Sequence, residues 1–391
     1  MRGGILTIDL KKISDNYQYL KKKASTAEVS AVVKADAYGL GMIPVVHVLV
    51  AQGCRTFFVA DIEEGIKLRN IIQPYQIKHN SHIKIYVIHG LHDSKPEDFY
   101  AYQLTPIINQ PHEILNWFSY QESIDKKLPY ALHVDTGMSK LGFTIHDFQK
   151  IEDHIKYHPC LLMSHLSCSD EPENIQNQRQ KSSFLEIAKK FPNAQKSLAN
   201  SGGIFLDGDY HFDLVRPGKA LYGLEPFQSG NNPLSQVVTL QTKIVQHKVL
   251  EPQTPVGYGA TFITNKKTHV AVISMGYADG LMRILGRKTD HESTWCPYWE
   301  DVPLRILGRV SMDLVAIDIS ALSYEQIKNK PIIDLIGQYN TVDQLAYEMQ
   351  TMGYEVLTNI GPRAKKKYIH CELTQDNLAE TYERSIWQQQ A

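Results

Sequence analysis

The apolar positions of this chain fall into two regimes. Over roughly the first 225 residues, short continuous apolar runs alternate with stretches of helical period. Glu28 to Val33, Phe57 to Ala60, Ile83 to Ile88, Thr105 to Ile108, Tyr130 to Val134, Leu161 to Ser164, Ser197 to Ala199 and Asp213 to Val215 read as buried strands. KKISDNYQYLKKKA carries a helix pattern ahead of the first run, and Met42 to Ala51 reads as a helix that tolerates Pro44 in its first turn. Asp61 with Glu64 makes a capping-box-like helix start. Eight strands alternating with helices match the order and length of a (β/α)8 barrel, and a doubly wound open sheet is the alternative that periodicity leaves open.

From Gln236 onward the pattern changes to alternating β-branched and polar residues, as in VVTLQTKIVQHKVL, THVAVISM and SMDLVAIDIS, broken by Gly, Pro and Asn. That predicts a mostly β second domain. SGNNP at 229 to 233 is the linker candidate, which divides the chain into domains 1–230 and 231–391. A polar tail ends in QQQA.

Charge narrows the partners. Forty-one basic and forty-two acidic residues leave a net charge of -1, so no bulk field gathers nucleic acid or anionic membrane. A small-molecule partner is favoured. With 391 residues, 43% of them hydrophobic, the chain can bury a large core. Met42 to Val50 is the most apolar stretch, but it is interrupted by Pro44 and His47 and too short to span a bilayer. MRGGILTIDLKK lacks the apolar region and cleavage site of a secretory signal, so the expected location is the cytoplasm. The five cysteines, Cys54, Cys160, Cys168, Cys296 and Cys371, are scattered without a CxxC pair, which argues against a disulfide framework or a zinc site.

In a barrel, residues just past the C-terminal ends of strands face the active site. Here they are Lys34 after strand one, DTGM at 135 to 138 after strand five, His165 after six, Asn200 and Ser201 after seven, and Arg216 after eight. A lysine ending a buried strand loses solvation for its charged form, which raises the nucleophilic fraction and suits Schiff-base chemistry. Gly39 and Gly41 would let backbone pass close to a ligand, and Tyr38 could reach back over the site. In VRPGKALYGLEP, Gly218 and Lys219 open a predicted helix whose N–H groups could bind phosphate, with Ser201 adding a hydroxyl. Amine, histidine, guanidinium and hydroxyl together can hold an anionic, aromatic, carbonyl-bearing cofactor.

AVVKADAYGLG, VDTGM, SH at 164 to 165, LANSGG, VRPGKALYGLEP, GYGATF, ISMGYADG and GRVSMD stand in the order and near the spacing of one family. Over nearly its whole length the chain resembles the alanine racemases, which carry pyridoxal 5'-phosphate on a barrel followed by a β domain. The resemblance implies that Lys34 carries the cofactor and serves as one catalytic base. Tyr258, contributed across a head-to-tail homodimer, would be the other; one base removes the α-proton and the other returns it from the opposite face. His165 would hydrogen-bond Tyr258 and Arg216. Arg216 would face the ring nitrogen, which a guanidinium leaves unprotonated. Tyr38, Ser201, Gly218 and Lys219 would hold the phosphate. Met312, through its N–H, would bind the amino-acid carboxylate, with Tyr277 and Asp313 near the substrate entrance. The implied role is to supply D-alanine for peptidoglycan.

Four positions depart from the family pattern. Lys140 replaces an arginine that binds the substrate carboxylate, and a flexible point charge does not reproduce a planar two-pronged contact. His133 stands where many members carry a carbamylated lysine that braces that arginine, so the two changes look coupled. Pro362 stands where many members have a phosphate-contacting tyrosine that narrows the channel, and Ser311 where a cysteine is common. Lys140 and Pro362 keep open a serine, lysine or broad-specificity racemase. A PLP-binding homeostasis protein is the other alternative, and it would lack the second domain.

Overall fold

The structure is a computed structural model that describes residues 4–152, 155–227, 231–286 and 295–370. Residues 229 and 230 of the expected linker, the QQQA tail and Cys371 lie outside them. The chain divides into two compact units.

The first unit holds most of the chain between Lys11 and Ser235. Its parallel sheet runs, in spatial order, through Ala31–Val32, Thr56–Val59, Lys84–Val87, Thr105–Ile108, Ala131–His133, Leu161–Met163 and Gln195–Ser197. An eighth strand, Leu214–Val215, closes the ring. It pairs in parallel with Glu28–Val29, while Arg216 N–H donates to Ala199 O at 2.9 Å on its other side. The expected (β/α)8 barrel is therefore present. Every residue of Thr56–Val59 and Thr105–Ile108 is buried, as a sheet covered on both faces requires.

Local chemistry sets the helices around it. Ile13, Tyr17, Leu20 and Ala24 form the buried stripe of and just beyond the helix Leu10–Lys23, and Tyr17 Oη donates to Val29 O at 2.9 Å. The helix Met42–Ala51 appears with the sequence-derived bounds. Asp61 caps Ile62–His79 by accepting the Glu64 N–H at 2.9 Å.

The second unit groups the described residues from Gln236 to His370 with the stretch ending at Leu10 and with Tyr38–Leu40. Its central strand, Val238–Leu250, pairs antiparallel with Thr268–Ile273, Ile332–Ile336 and Ile5–Asp9. Ile5–Asp9 also pairs in parallel with Lys365–Ile369. The N-terminal strand was not expected from the sequence. Nor were three short helices, Tyr324–Asn329, Val342–Glu348 and Gly353–Asn359. The first two begin at Ser323 and Thr341, each in a capping box with a glutamine three residues on.

Candidate active site

Lys34 ends the first barrel strand and is half-buried. Burial lowers its amine pKa below the ordinary lysine value, the Lys140 ammonium lowers it further, and the Glu64 carboxylate opposes both. Directly after Lys34 the backbone makes a turn of left-handed helix. Ala35, Asp36, Ala37 and Tyr38 all have positive φ, between 52° and 57°. Left-handed backbone costs a non-glycine residue about 1–2 kcal/mol, so the turn needs outside support. Glu64 supplies much of it. One carboxylate oxygen accepts the Ala35 N–H at 2.6 Å and the other the Ala60 N–H at 2.8 Å. Asp36 adds to it by accepting the Met42 N–H at 3.0 Å and pairing with Lys67. The capping glutamate thus fixes the backbone beside the amine.

Arg216, just past strand eight, is 4% exposed. Its guanidinium donates to Ser197 Oγ, Ser164 O, Leu198 O and His165 Nδ1. Burial pushes its pKa down to about 9, which leaves it charged at neutral pH. His165 is held well below the usual histidine value by burial first and then by the positive charge of Arg216. A guanidinium only donates, so His165 Nδ1 accepts and the neutral ring carries its proton on Nε2. That proton is available to a hydroxyl or phenolate.

His133, at the end of strand five, is neutral for the same reasons; burial and nearby Arg216 push its pKa to about 3. Its tautomer is opposite. Asn109 donates through Nδ2 to Ile88 O and Ile107 O, so its Oδ1 accepts from His133 Nδ1 at 2.9 Å. The proton is on Nδ1 and the lone pair on Nε2. The loop after His133 folds back on it, with Phe143 N–H donating to His133 O, and Lys140 rides on that loop. A Cβ on Gly142 would lie 3.1 Å from His133 Cγ. The positive charge of Lys140 bears on Lys34, His133 and His165 alike.

Ser201, past strand seven, is buried, and its Oγ accepts the N–H groups of Gly218 at 2.9 Å and Ala220 at 3.2 Å. Its hydroxyl proton and two backbone donors thus gather at one place. Lys219–Tyr222 is a four-residue 3-10 turn, shorter than the helix the sequence suggested. Ala220, rather than Lys219, supplies the second N–H at Ser201.

The remaining candidates belong to the β-rich unit. Tyr38 packs its ring edge-on against Tyr354, centroids 6.3 Å apart, and burial raises its pKa. Tyr354 thus supplies an aromatic phenol that Pro362 does not. Gly39 gives close approach to protein rather than ligand, since a Cβ there would sit 2.8 Å from Leu357 O. Tyr258 stands on the turn Tyr258–Ala260 at the tip of a hairpin formed by Pro255–Val256 and Phe262–Ile263, and it is 67% exposed. Tyr277 N–H donates to Ser311 O and Ala278 N–H to Met312 O, both at 3.0 Å. These bonds bring Tyr277, Met312 and Asp313 together.

Residues 8–226 match the family described as alanine racemase, N-terminal domain, and residues 237–368 match alanine racemase, C-terminal domain. The chain belongs to the alanine racemase family. It is 38% identical over 373 residues to a catabolic alanine racemase of Agrobacterium fabrum, covering 94% of this chain and 92% of that one. It is 37% identical over 369 residues to an alanine racemase of Rhodospirillum rubrum, covering 93% and 95%. Among solved structures it is similar to the alanine racemase of Bartonella henselae with covalently bound pyridoxal phosphate, with a TM-score of 0.83, 34% identity, and 94% and 99% coverage. The family fold explains the placement of chemistry at strand ends. Glu64, Asn109, Tyr354 and Arg363 were not singled out as site residues from sequence. Glu64 reads from sequence as a cap; Tyr354 and Arg363 meet Tyr38 and Asp279 far along the chain, and Asn109 meets His133 24 residues on.

The donor set also fits an anionic aromatic aldehyde. A desolvated amine suits the carbonyl, the Ser201 hydroxyl, whose oxygen is held by the Gly218 and Ala220 N–H groups, leaves its own proton for a phosphate, and a buried charged Arg216 suits a ring nitrogen that accepts but is not protonated.

Proposed function

We propose that this chain is a pyridoxal 5'-phosphate-dependent alanine racemase that interconverts L- and D-alanine with two bases. The observation that carries the reading is the joint presence, at the strand ends of one barrel, of a desolvated Lys34 and a neutral His165 held by a charged Arg216. When bound, the cofactor supplies an electron sink for the bond between the α-carbon and its proton. Lys34 holds it covalently, then takes or returns the α-proton on one face through Nζ. Tyr258 of the partner subunit does the same on the other face through Oη, in a head-to-tail homodimer. The high exposure of Tyr258 supports work against another molecule. The Nε2 proton of His165 steadies the phenolate form of that tyrosine.

Arg216 keeps its proton and so limits electron withdrawal through the ring, which disfavours transamination. Ser201 binds phosphate through its hydroxyl, together with Tyr38, Gly218 and Lys219, and the Ala220 N–H holds the serine oxygen in place. Lys140 and the Met312 N–H bind the substrate carboxylate, with Tyr277 and Asp313 beside the entrance. A racemase runs in both directions, so concentrations decide whether it makes D-alanine for peptidoglycan or consumes it. Among the described residues no helix is long and apolar enough to cross a membrane, and a cytoplasmic location with no nucleic-acid partner suits this reading.

The test is chiral analysis of L-alanine, L-serine, L-lysine and L-arginine after incubation with the cofactor-loaded protein. D-alanine as the dominant product supports the proposal. Dominance of another D-amino acid would make Lys140 a specificity change, and no product would overturn the racemase reading.

A further inference from the structure

One guanidinium in the β-rich unit ties together three chain segments that carry the substrate-facing candidates. Arg363 Nε donates to Asp279 Oδ1 and Nη2 to Asp279 Oδ2, each at 2.8 Å, while Nη1 donates to Asp313 Oδ1 at 2.5 Å. Asp279 is almost fully buried and also accepts the Gly276 N–H at 2.9 Å, closing the turn that begins with Tyr277. Asp313 adjoins Met312 on the neighbouring loop. The arginine is therefore a planar bridge between the Tyr277 turn and the Met312 loop.

Close backbone packing makes that spacing rigid. A Cβ on Gly276 would lie 2.3 Å from Ser311 O and 2.4 Å from Met312 O, so only glycine lets the two segments meet. A Cβ on Gly280 would lie 2.7 Å from Asn359 O, which packs the segment leading to Arg363 onto the same turn. Met312 O is used by the Ala278 N–H, and the Met312 N–H donates to no group among the described residues. Met312 as a residue is 53% exposed.

We infer that Arg363 is a positioning residue which, by holding Asp279 and Asp313 at once, fixes the Met312 N–H against the Tyr277 turn and thereby sets the affinity for the substrate carboxylate. The inference rests on the reading that Met312 faces that carboxylate. Lysine at 363 keeps the charge but cannot grip both carboxylates in the same planar geometry. Asparagine at 313 removes one arm and leaves the two bonds to buried Asp279 in place.

The experiment compares unaltered cofactor-loaded protein with Arg363→Lys, Asp313→Asn and the double variant. KM for alanine and kcat are read in both directions, and propionate binding, a carboxylate without an amine, is read by thermal shift. Each single variant is expected to raise KM roughly fivefold, with kcat little changed and propionate binding weakened in parallel; the double variant should add little, because both changes break one bridge. Because the enantiomers are equal in energy, the effect on kcat/KM must be the same in both directions. Unchanged KM and propionate binding in Asp313→Asn would overturn the inference, as would a fall in kcat and thermal stability with propionate affinity kept. If the unaltered protein racemises nothing, the functional reading fails, while the propionate series still decides the role of Arg363.

Discussion

The candidate residues of the barrel and those of the β-rich unit are built in opposite ways. Arg216 and His133 are 4% and 5% exposed, and each is locked by hydrogen bonds that settle its charge or tautomer. Tyr258 and Met312 are mostly exposed, and each reaches its place through backbone: a hairpin tip for one, a loop held by Arg363 for the other. The barrel set is preorganised by its own interior, as an electrostatic site requires. The β-rich set is presented outward on a stiff mount, as suits groups that act on something beyond their own unit.

The largest effect should come from the barrel. If Lys34 both attaches the cofactor and acts as one base, racemisation by Lys34→Ala should fall by at least about 10⁴-fold and the borohydride-reducible link to the cofactor should vanish. Retained turnover would break the assignment. Tyr258→Phe should cost racemisation about 10²- to 10⁴-fold while leaving thermal stability almost unchanged, because the side chain is exposed. Mixing these two inactive variants sharpens the contrast. If Tyr258 acts across subunits, reassorted dimers hold some intact sites and should recover about a quarter of the activity, whereas no recovery would place both bases in one chain.

His133 should be visible in stability. Its folded pKa of about 3 lies below the ordinary 6.5, so the unfolded chain binds the extra proton first. Stability is then lost as pH falls below roughly 6.5, by at most about 1.4 kcal/mol per pH unit until the folded value is reached. His133→Gln should flatten that slope in urea unfolding between these limits. An unaltered slope would mean that the buried neutral histidine is misassigned.

The smallest effect is a pair of opposite shifts. Lys140→Met removes a positive neighbour and should move the pH dependence of cofactor attachment at Lys34 upward. Glu64→Gln removes the opposing negative charge and should move it downward. Shifts of one sign in both variants would show that backbone support, rather than charge, links these residues to Lys34.

Much of the barrel was legible because buried parallel strands write themselves as apolar runs, and Lys34, His165, Ser201 and Arg216 come directly after such runs. The Asp61 cap and the helix Met42–Ala51 were equally plain. The left-handed turn at Ala35 to Tyr38 was not, because alanine and tyrosine disfavour it, a single aspartate does not specify four such residues in a row, and its support from Glu64 lies 29 residues away. The strand Ile5–Asp9 escaped because its partners, Val238–Leu250 and Lys365–Ile369, lie more than two hundred residues downstream. In NIGPR, Arg363 looks like an ordinary loop arginine, because its buried partner Asp279 is 84 residues earlier. Only the fold shows that Tyr354, outside that motif, meets Tyr38.

The most direct test of two bases acting on alanine is racemisation of L-alanine in deuterated water, with the α-position of each enantiomer read by mass spectrometry at the earliest conversions. The account expects D-alanine to carry deuterium from the first turnovers, because the proton leaves to one base and a solvent-equilibrated proton arrives from the other. D-alanine that retains the substrate's own proton would contradict it.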